Sequence, residues 1–349
     1  MKMMIEKGEI SCALHMERGV LSQVGEEIRK AVSGNKIAVI MEEKAGLLYG
    51  DRMREILEKE GFSFRFIIPS AEEGLDRLRE ICDEFSDFSL SADDGILVIS
   101  GNDILGPAGF AAATWRGGIP LFYLPSNLSA QLGCPVDGKV YLPVSTGERI
   151  SITAPLRGIF IDPDILARQP VRHIHEGLAE AVRIGAAGDY ELFEILESVK
   201  EEEDIWLHMD EILLHVLLLR KGAHEGGREK GLCLSFGSAM QKAVEDYFEG
   251  STFTAGEALS LGMCLLTKNT EDMGITEKGT SDRLIQVLHR LALPTSITLP
   301  ADDLISSLRK NERRGKISLP VLKKIGKADV LSLNRSELAD CIERGNYDR

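Results

Sequence analysis

A parallel α/β sheet domain followed by an all-helical domain is the organisation this sequence predicts, and three observations predict it. Over roughly the first 155 residues short apolar runs alternate with amphipathic segments. Beyond that stretch apolar residues recur almost entirely at helical spacing. The chain's 349 residues exceed one ordinary domain and suit two, 1–155 and 156–349.

The elements follow in order. KIAVIM at 36–41 reads as a buried strand, with a helical stretch after it at 48–60. Residues 62–68 form a second strand and 73–85 a second helix. DGILVIS at 94–100 and GIPLFYLP at 118–125 supply a third and fourth strand. Strands alternating with helices in this way imply a Rossmann-like parallel sheet, which binds ligands at the carboxyl ends of its strands. In the second half, 176–185, 191–199, 206–221, 239–247, 255–268 and 282–291 carry the helical period, with shorter pieces at 302–311 and 321–325. EEED at 201–204 reads as a solvated loop between helices.

Composition narrows the function. Hydrophobic residues make up 44% and charged residues 28%, the balance of a packed soluble protein. Asp and Glu number 55 against 41 Lys and Arg, a formal charge of −14. That excess disfavours binding to nucleic acid or to an anionic membrane surface, while a locally basic pocket can still take a small anionic or phosphorylated ligand. The six cysteines show no CxxC spacing and mostly sit in apolar contexts, so buried free thiols in a reducing compartment are expected. With no signal-like or membrane-length apolar run, the expected location is the cytoplasm.

Local words then point to a family. GFAAATWRGGIP at 109–120, LPSNLSAQ at 124–131, GLAEAVRIG at 177–185, GEALSLGM at 256–263, LALP at 291–294 and VLKKIG at 321–326 run in one order over roughly 35–330. Together they resemble the 3-dehydroquinate synthase family, whose corresponding words run GF-AAA-(T/S)-Y, PTTLLAQ, GLAEVIKYG, GEAVAIGM, GLP and L-P-x-x-I-G, the last with leucine here in place of the proline. The resemblance implies ring closure of 3-deoxy-arabino-heptulosonate 7-phosphate. A bound NAD oxidises and later re-reduces one alcohol, and a zinc ion held by one Glu and two His acts as Lewis acid. It also implies a dinucleotide on the sheet domain, substrate in the interdomain cleft, and a homodimer.

Carried over residue by residue, the resemblance predicts a depleted site. The glutamate ligand falls on Glu180, but Ser238 and Ala255 stand where the two histidine ligands belong, and Lys242 replaces a catalytic histidine. No metal is therefore expected. Of the seven histidines, at 15, 173, 175, 208, 215, 224 and 289, the pairs 173/175 and 208/215 lack the spacing of a known metal motif. For the nucleotide, GGGVVGD becomes SGNDILG at 100–106, which leaves Gly101, Asn102 and Gly106 at the turn and brings Asp103 close to a pyrophosphate's place. Ser126 and Asn127 complete the candidate cofactor contacts. The DSSVGGKT loop keeps only Gly138 and Lys139 of its polar core, GKN becomes GER at 147–149, and DKK becomes NER at 311–313. NAD, like zinc, is not expected to bind in the family manner. Lys139, Arg183 and, across a gap, Lys221 fall on basic substrate positions.

Three readings follow. The leading one is a diverged member without zinc- and NAD-dependent cyclisation, acting as a binding or regulatory subunit and dimerising with itself or with an active paralogue. The second is an enzyme of altered chemistry on a phosphorylated sugar or cyclitol, using Lys139, Arg183, Lys221 and Lys242. The third is a genuine 3-dehydroquinate synthase of the shikimate pathway.

Overall fold

The computed structural model describes residues 1–349 except 8–9, 71–73, 146–147, 227, 249–251, 310–311 and 346–349. In chain order its first unit carries β1 (Lys2–Lys7), β2 (Ile10–Met16), β3 (Lys36–Met41), β4 (Ser63–Ile67), β5 (Gly95–Ser100), β6 (Leu121–Pro125), β7 (Lys139–Ser145), β8 (Glu148–Thr153) and β9 (Leu156–Ile161). Seven of these make one sheet in the order β1-β2-β9-β6-β5-β3-β4, and β7 and β8 form a separate hairpin. Only β1 runs antiparallel in the large sheet; the other pairings are parallel. β5 is buried along its whole length, and β3 from Ile37 onward. Strands buried on both faces carry unbroken apolar runs, which is why these two stand out in the sequence.

The expected organisation is present, with four corrections to its details. The chain divides after Gln169 rather than at 155/156. β9 causes the shift, because it pairs with both β2 and β6 inside the sheet and cannot be separated from the first unit. β1, β2, β7, β8 and β9 are additions to the expected strands. In β1, Ile5 is fully buried while its neighbour Met4 is largely exposed, and a half-buried edge strand of six residues gives little apolar signal. EEED is not a loop: Glu201 caps a helix spanning Glu202–His224. Asp204 accepts from the backbone N–H of Lys200 (2.9 Å) and Glu201 (3.2 Å), satisfying amides that precede the first turn.

The second unit, Pro170–Arg349, is helical except at its end. Residues expected as a short helical piece at 321–325 belong to an antiparallel hairpin, β10 (Ile317–Lys324) and β11 (Lys327–Leu333). Ile317, Leu319 and Val321 are buried while Ser318 is exposed, an alternation of period two that a window of five residues does not reveal. Gly326 makes the turn with φ +80°. The main helices are Val171–Gly188, Tyr190–Ser198, Glu202–His224, Ser238–Tyr247, Ala255–Asp272 and Thr280–Arg290. Among the described residues no helix is long and apolar enough to cross a membrane.

Burial pushes the thiols of Cys12 and Cys264 up to about 12. Since the thiolate is the reactive form, Ellman's reagent at pH 8 should leave both untouched in the native protein. Among the cysteines of the described residues, half-buried Cys82 should react first. Peptide mass spectrometry with and without denaturant checks this order.

Candidate functional site

Two loci, one in each unit, hold part of the set singled out above. In the first unit the carboxyl ends of β5 and β6 lie side by side, and Ser126 N–H donates to Ser100 O at 3.0 Å. Gly101 is the cap of the Asn102–Thr114 helix. A Cβ built on it would fall 2.6 Å from Asn127 Nδ2. Gly101, Asn102, Ser126 and Asn127 are thus brought together, with Asn102 and Asp103 exposed in the helix's first turn. The side chains of this group are already committed. Asn127 Oδ1 accepts from Ala130 N–H (2.8 Å), and Ser126 Oγ donates to Glu42 Oε1 (2.5 Å).

Gly106 is not at the turn. A Cβ there would lie 2.0 Å from the Tyr141 carbonyl oxygen, so this glycine lets the helix approach β7. Pro107, inside the same helix, has no N–H for the Asp103 carbonyl, and Arg77 Nη1 donates to that oxygen instead at 3.3 Å. Lys139 begins β7, exposed, with Nζ 5.5 Å from the Tyr141 ring centroid. Gly147 and Asn311, from the GER and NER segments, lie outside the described residues.

The second unit holds the locus of Glu180. Three helices build its frame, and a fourth, Glu202–His224, adds Arg220. Val171–Gly188 carries Glu180 and Arg183, Ser238–Tyr247 begins with Ser238, and Ala255–Asp272 begins with Ala255. Glycines set how closely they cross. A Cβ on Gly256 would come within 2.2 Å of the Glu176 carbonyl oxygen, and one on Gly262 within 2.6 Å of the Gln241 nitrogen. The start of the third helix is fixed by a reciprocal cap. Glu257 N–H donates to Thr254 Oγ1 (3.3 Å) while Thr254 N–H donates to Glu257 Oε2 (3.0 Å).

At the centre Glu180 is clasped by two guanidinium groups. Arg183 Nη2 donates to Glu180 Oε1 at 2.6 Å, and Arg220 Nη2, from the Glu202–His224 helix, donates to the same oxygen. Arg183 Nη1 also donates to Ser238 Oγ at 2.9 Å. The side chains of Glu180, Arg183 and Arg220 are only 12%, 10% and 14% exposed, so the charges meet with little water between them. Burial alone would raise the Glu180 carboxyl, but Arg183 and Arg220 outweigh it and hold the group below the usual carboxylate range.

Arg220 is not among the residues the motifs point to; its neighbour Lys221 is. Lys221 reaches Glu225 at 3.6 Å and takes no part in the cluster. One residue along a helix turns the side chain by about 100°, so adjacent bases face different surroundings. The only sequence signal for Arg220 is its place beside the buried Leu217 and Leu219. Lys242 is 51% exposed and paired with Asp246 at 2.8 Å, which leaves it at the solvated surface. Ala255 contributes a carbonyl that accepts from Gln241 Nε2 at 3.3 Å. His208 and His215 turn to separate partners, Glu211 (2.9 Å) and Asp189 (2.8 Å). Among the described residues no three His, Cys, Asp or Glu side chains are grouped to hold a metal ion.

Comparison with known proteins sets these loci in context. The sequence profile of the 3-dehydroquinate synthase N-terminal region matches residues 66–176, and that of its C-terminal region matches 177–314. The chain belongs to the 3-dehydroquinate synthase family. It is 29% identical over 344 residues to the 3-dehydroquinate synthase of Clostridium acetobutylicum, covering 95% of this chain and 96% of that one. To the enzyme of Enterococcus faecalis it is 28% identical over 354 residues, covering 99% of each. Among solved structures it is similar in fold to 2-epi-5-epi-valiolone synthase from Streptomyces hygroscopicus, solved with NAD+ and Zn2+ bound (TM-score 0.82, 19% identity, 97% of this chain and 98% of that one). It is equally similar to 2-deoxy-scyllo-inosose synthase complexed with carbaglucose-6-phosphate, NAD+ and Co2+ (TM-score 0.83, 17% identity, 99% and 100%). The chain therefore shares the fold of these proteins over nearly its whole length.

Proposed function

We propose that this protein is a diverged member of the 3-dehydroquinate synthase family that does not carry out metal- and NAD-dependent ring closure and acts as a binding or regulatory subunit. The observation that carries this reading is the capture of Glu180 by Arg183 and Arg220. A zinc site needs three or four neutral or anionic donors around the ion. Here there is one carboxylate already bonded to two guanidiniums, a serine hydroxyl accepting from one of them, and the methyl group of Ala255. A guanidinium has five donors, no acceptor, and keeps its charge at every working pH, so it repels a dication where the family's ligands would hold one. The residues present do not fit the metal.

The nucleotide locus supports the same reading. Ser126 and Asn127 spend their side chains on Glu42 and on a helix cap, and Asp103 places a carboxylate in the first turn where a pyrophosphate needs bare amides. A subunit of this kind works through association, with a second copy or with an active relative as partner, in the cytoplasm. The alternative of altered chemistry on a phosphorylated sugar draws support from the surplus positive charge around Glu180, but Lys242, its intended proton carrier, is half-exposed and ion-paired.

Metal analysis of protein purified without added metal, together with a turnover assay on 3-deoxy-arabino-heptulosonate 7-phosphate, tests the proposal. The expected result is zinc far below one ion per chain and no phosphate release with NAD and zinc supplied. Stoichiometric zinc accompanied by turnover of about 1 s⁻¹ or more, the ordinary enzymatic range, overturns it.

A further inference from the structure

The Glu180 cluster is unbalanced. It holds one carboxylate and two guanidiniums, and among the described residues no second acid is bonded to either arginine. Arg183 as a residue is only 9% exposed, and its Nε is buried with no hydrogen-bond partner. Among the described residues Arg220 has no bonded partner but Glu180, and its Nε too is buried and unmatched. A largely buried surplus charge with unmet donors is costly unless something compensates it. The shape of the unmet need is specific: planar N–H groups that want oxygens, together with one uncancelled positive charge.

We propose that Arg183 and Arg220 form a binding site for a small oxyanion, a phosphate or carboxylate group, at the locus where the family's motifs place the metal. Guanidinium groups suit this chemistry because their forked N–H groups match planar carboxylate and tetrahedral phosphate oxygens, and charge-assisted bonds of this kind are about twice as strong as neutral ones. Ser238, whose oxygen already accepts from Arg183, keeps its hydroxyl hydrogen to donate. Glu180 sets the register of the two arginines and competes with the anion for them. The proposal rests on the reading that no dication occupies this locus, and it assigns the resulting subunit a ligand class.

The competition makes the test directional. Inorganic phosphate and, separately, acetate are titrated into the full chain against sodium chloride at matched ionic strength, with melting temperature and calorimetric heat as readouts. At ten times its Kd the bound anion should raise the melting temperature by roughly 2 °C. Arg220→Gln, which leaves the Glu180–Arg183 pair intact, should weaken binding by about tenfold or more, the loss of a charge-assisted bond. Glu180→Gln should tighten it by about threefold or more, because a competing negative charge is gone. A merely structural ion pair would lower stability in Glu180→Gln with no gain in affinity. The proposal is overturned if neither anion acts on the wild-type protein beyond chloride, if Arg220→Gln keeps the response, or if Glu180→Gln weakens it. A response to phosphate alone, to acetate alone or to both supports the site and tells which oxyanion it prefers. Zinc content measured on the same preparation reports on the proposed function independently of these titrations.

Discussion

Glu180→Ala is expected to destabilise the helical unit by about 3–5 kcal/mol, the effect of leaving two largely buried guanidiniums with no acid between them. Arg220→Ala should cost less, since the remaining Glu180–Arg183 pair is neutral and still joined at 2.6 Å. Replacing Glu180, Arg183 and Arg220 together by methionine should come close to wild-type stability, because desolvating the ions offsets most of their mutual attraction. Urea unfolding followed by circular dichroism separates the three variants. If the single alanine at position 180 proved milder than the one at 220, the arginines would be compensated elsewhere and the cluster would not be the unit described here. The pH dependence has a definite sign. The folded Glu180 carboxyl titrates below its unfolded value of about 4.3. Its contribution is fully present above that value and disappears as pH falls through the folded pKa. The stability gap between wild type and Glu180→Gln should therefore be constant near neutrality and narrow below about pH 4.

Gly256→Ala is expected to have the second largest effect, about 2–3 kcal/mol. The new Cβ would meet the Glu176 carbonyl oxygen at 2.2 Å, its carbon at 2.8 Å and its Cα at 2.9 Å. Backbone atoms inside a helix cannot step aside as a side chain would, so the Ala255–Asp272 and Val171–Gly188 helices must move apart. That movement would also disturb Arg172, which donates to Glu257 at 2.9 Å near this crossing. Gly50, in the Glu43–Lys59 helix of the first unit, provides the control, because a Cβ there would meet nothing within 4 Å. Gly50→Ala should be neutral or slightly stabilising through helix propensity. Comparable losses in the two variants would remove the close crossing as the cause.

How much is legible in the sequence can be followed element by element. KIAVIM reads as a strand at 36–41 and is β3 with the same bounds, because a strand covered on both faces is apolar at every position. β1 and β10 do not read as strands. Their apolar residues sit on one face only, and their identity depends on partners, β2 and β11, that a local window does not contain. Glu180 can be found from GLAEA, since a motif word carries its position with it. Arg220 cannot, because no motif contains it. It matters only because the Glu202–His224 helix lays it against a carboxylate forty residues earlier in the chain.

By itself the sequence determined the division into a sheet unit and a helical unit, the central strands and the family. These are properties of residue identity and of short-range periodicity, which need no partner to be expressed. Only the tertiary structure decided which of the charged residues meet. A charge acquires its meaning from the groups that desolvate and pair it, and here helices distant in the chain set Arg183 and Arg220 on Glu180, leave Lys242 in solvent and turn Lys221 toward Glu225.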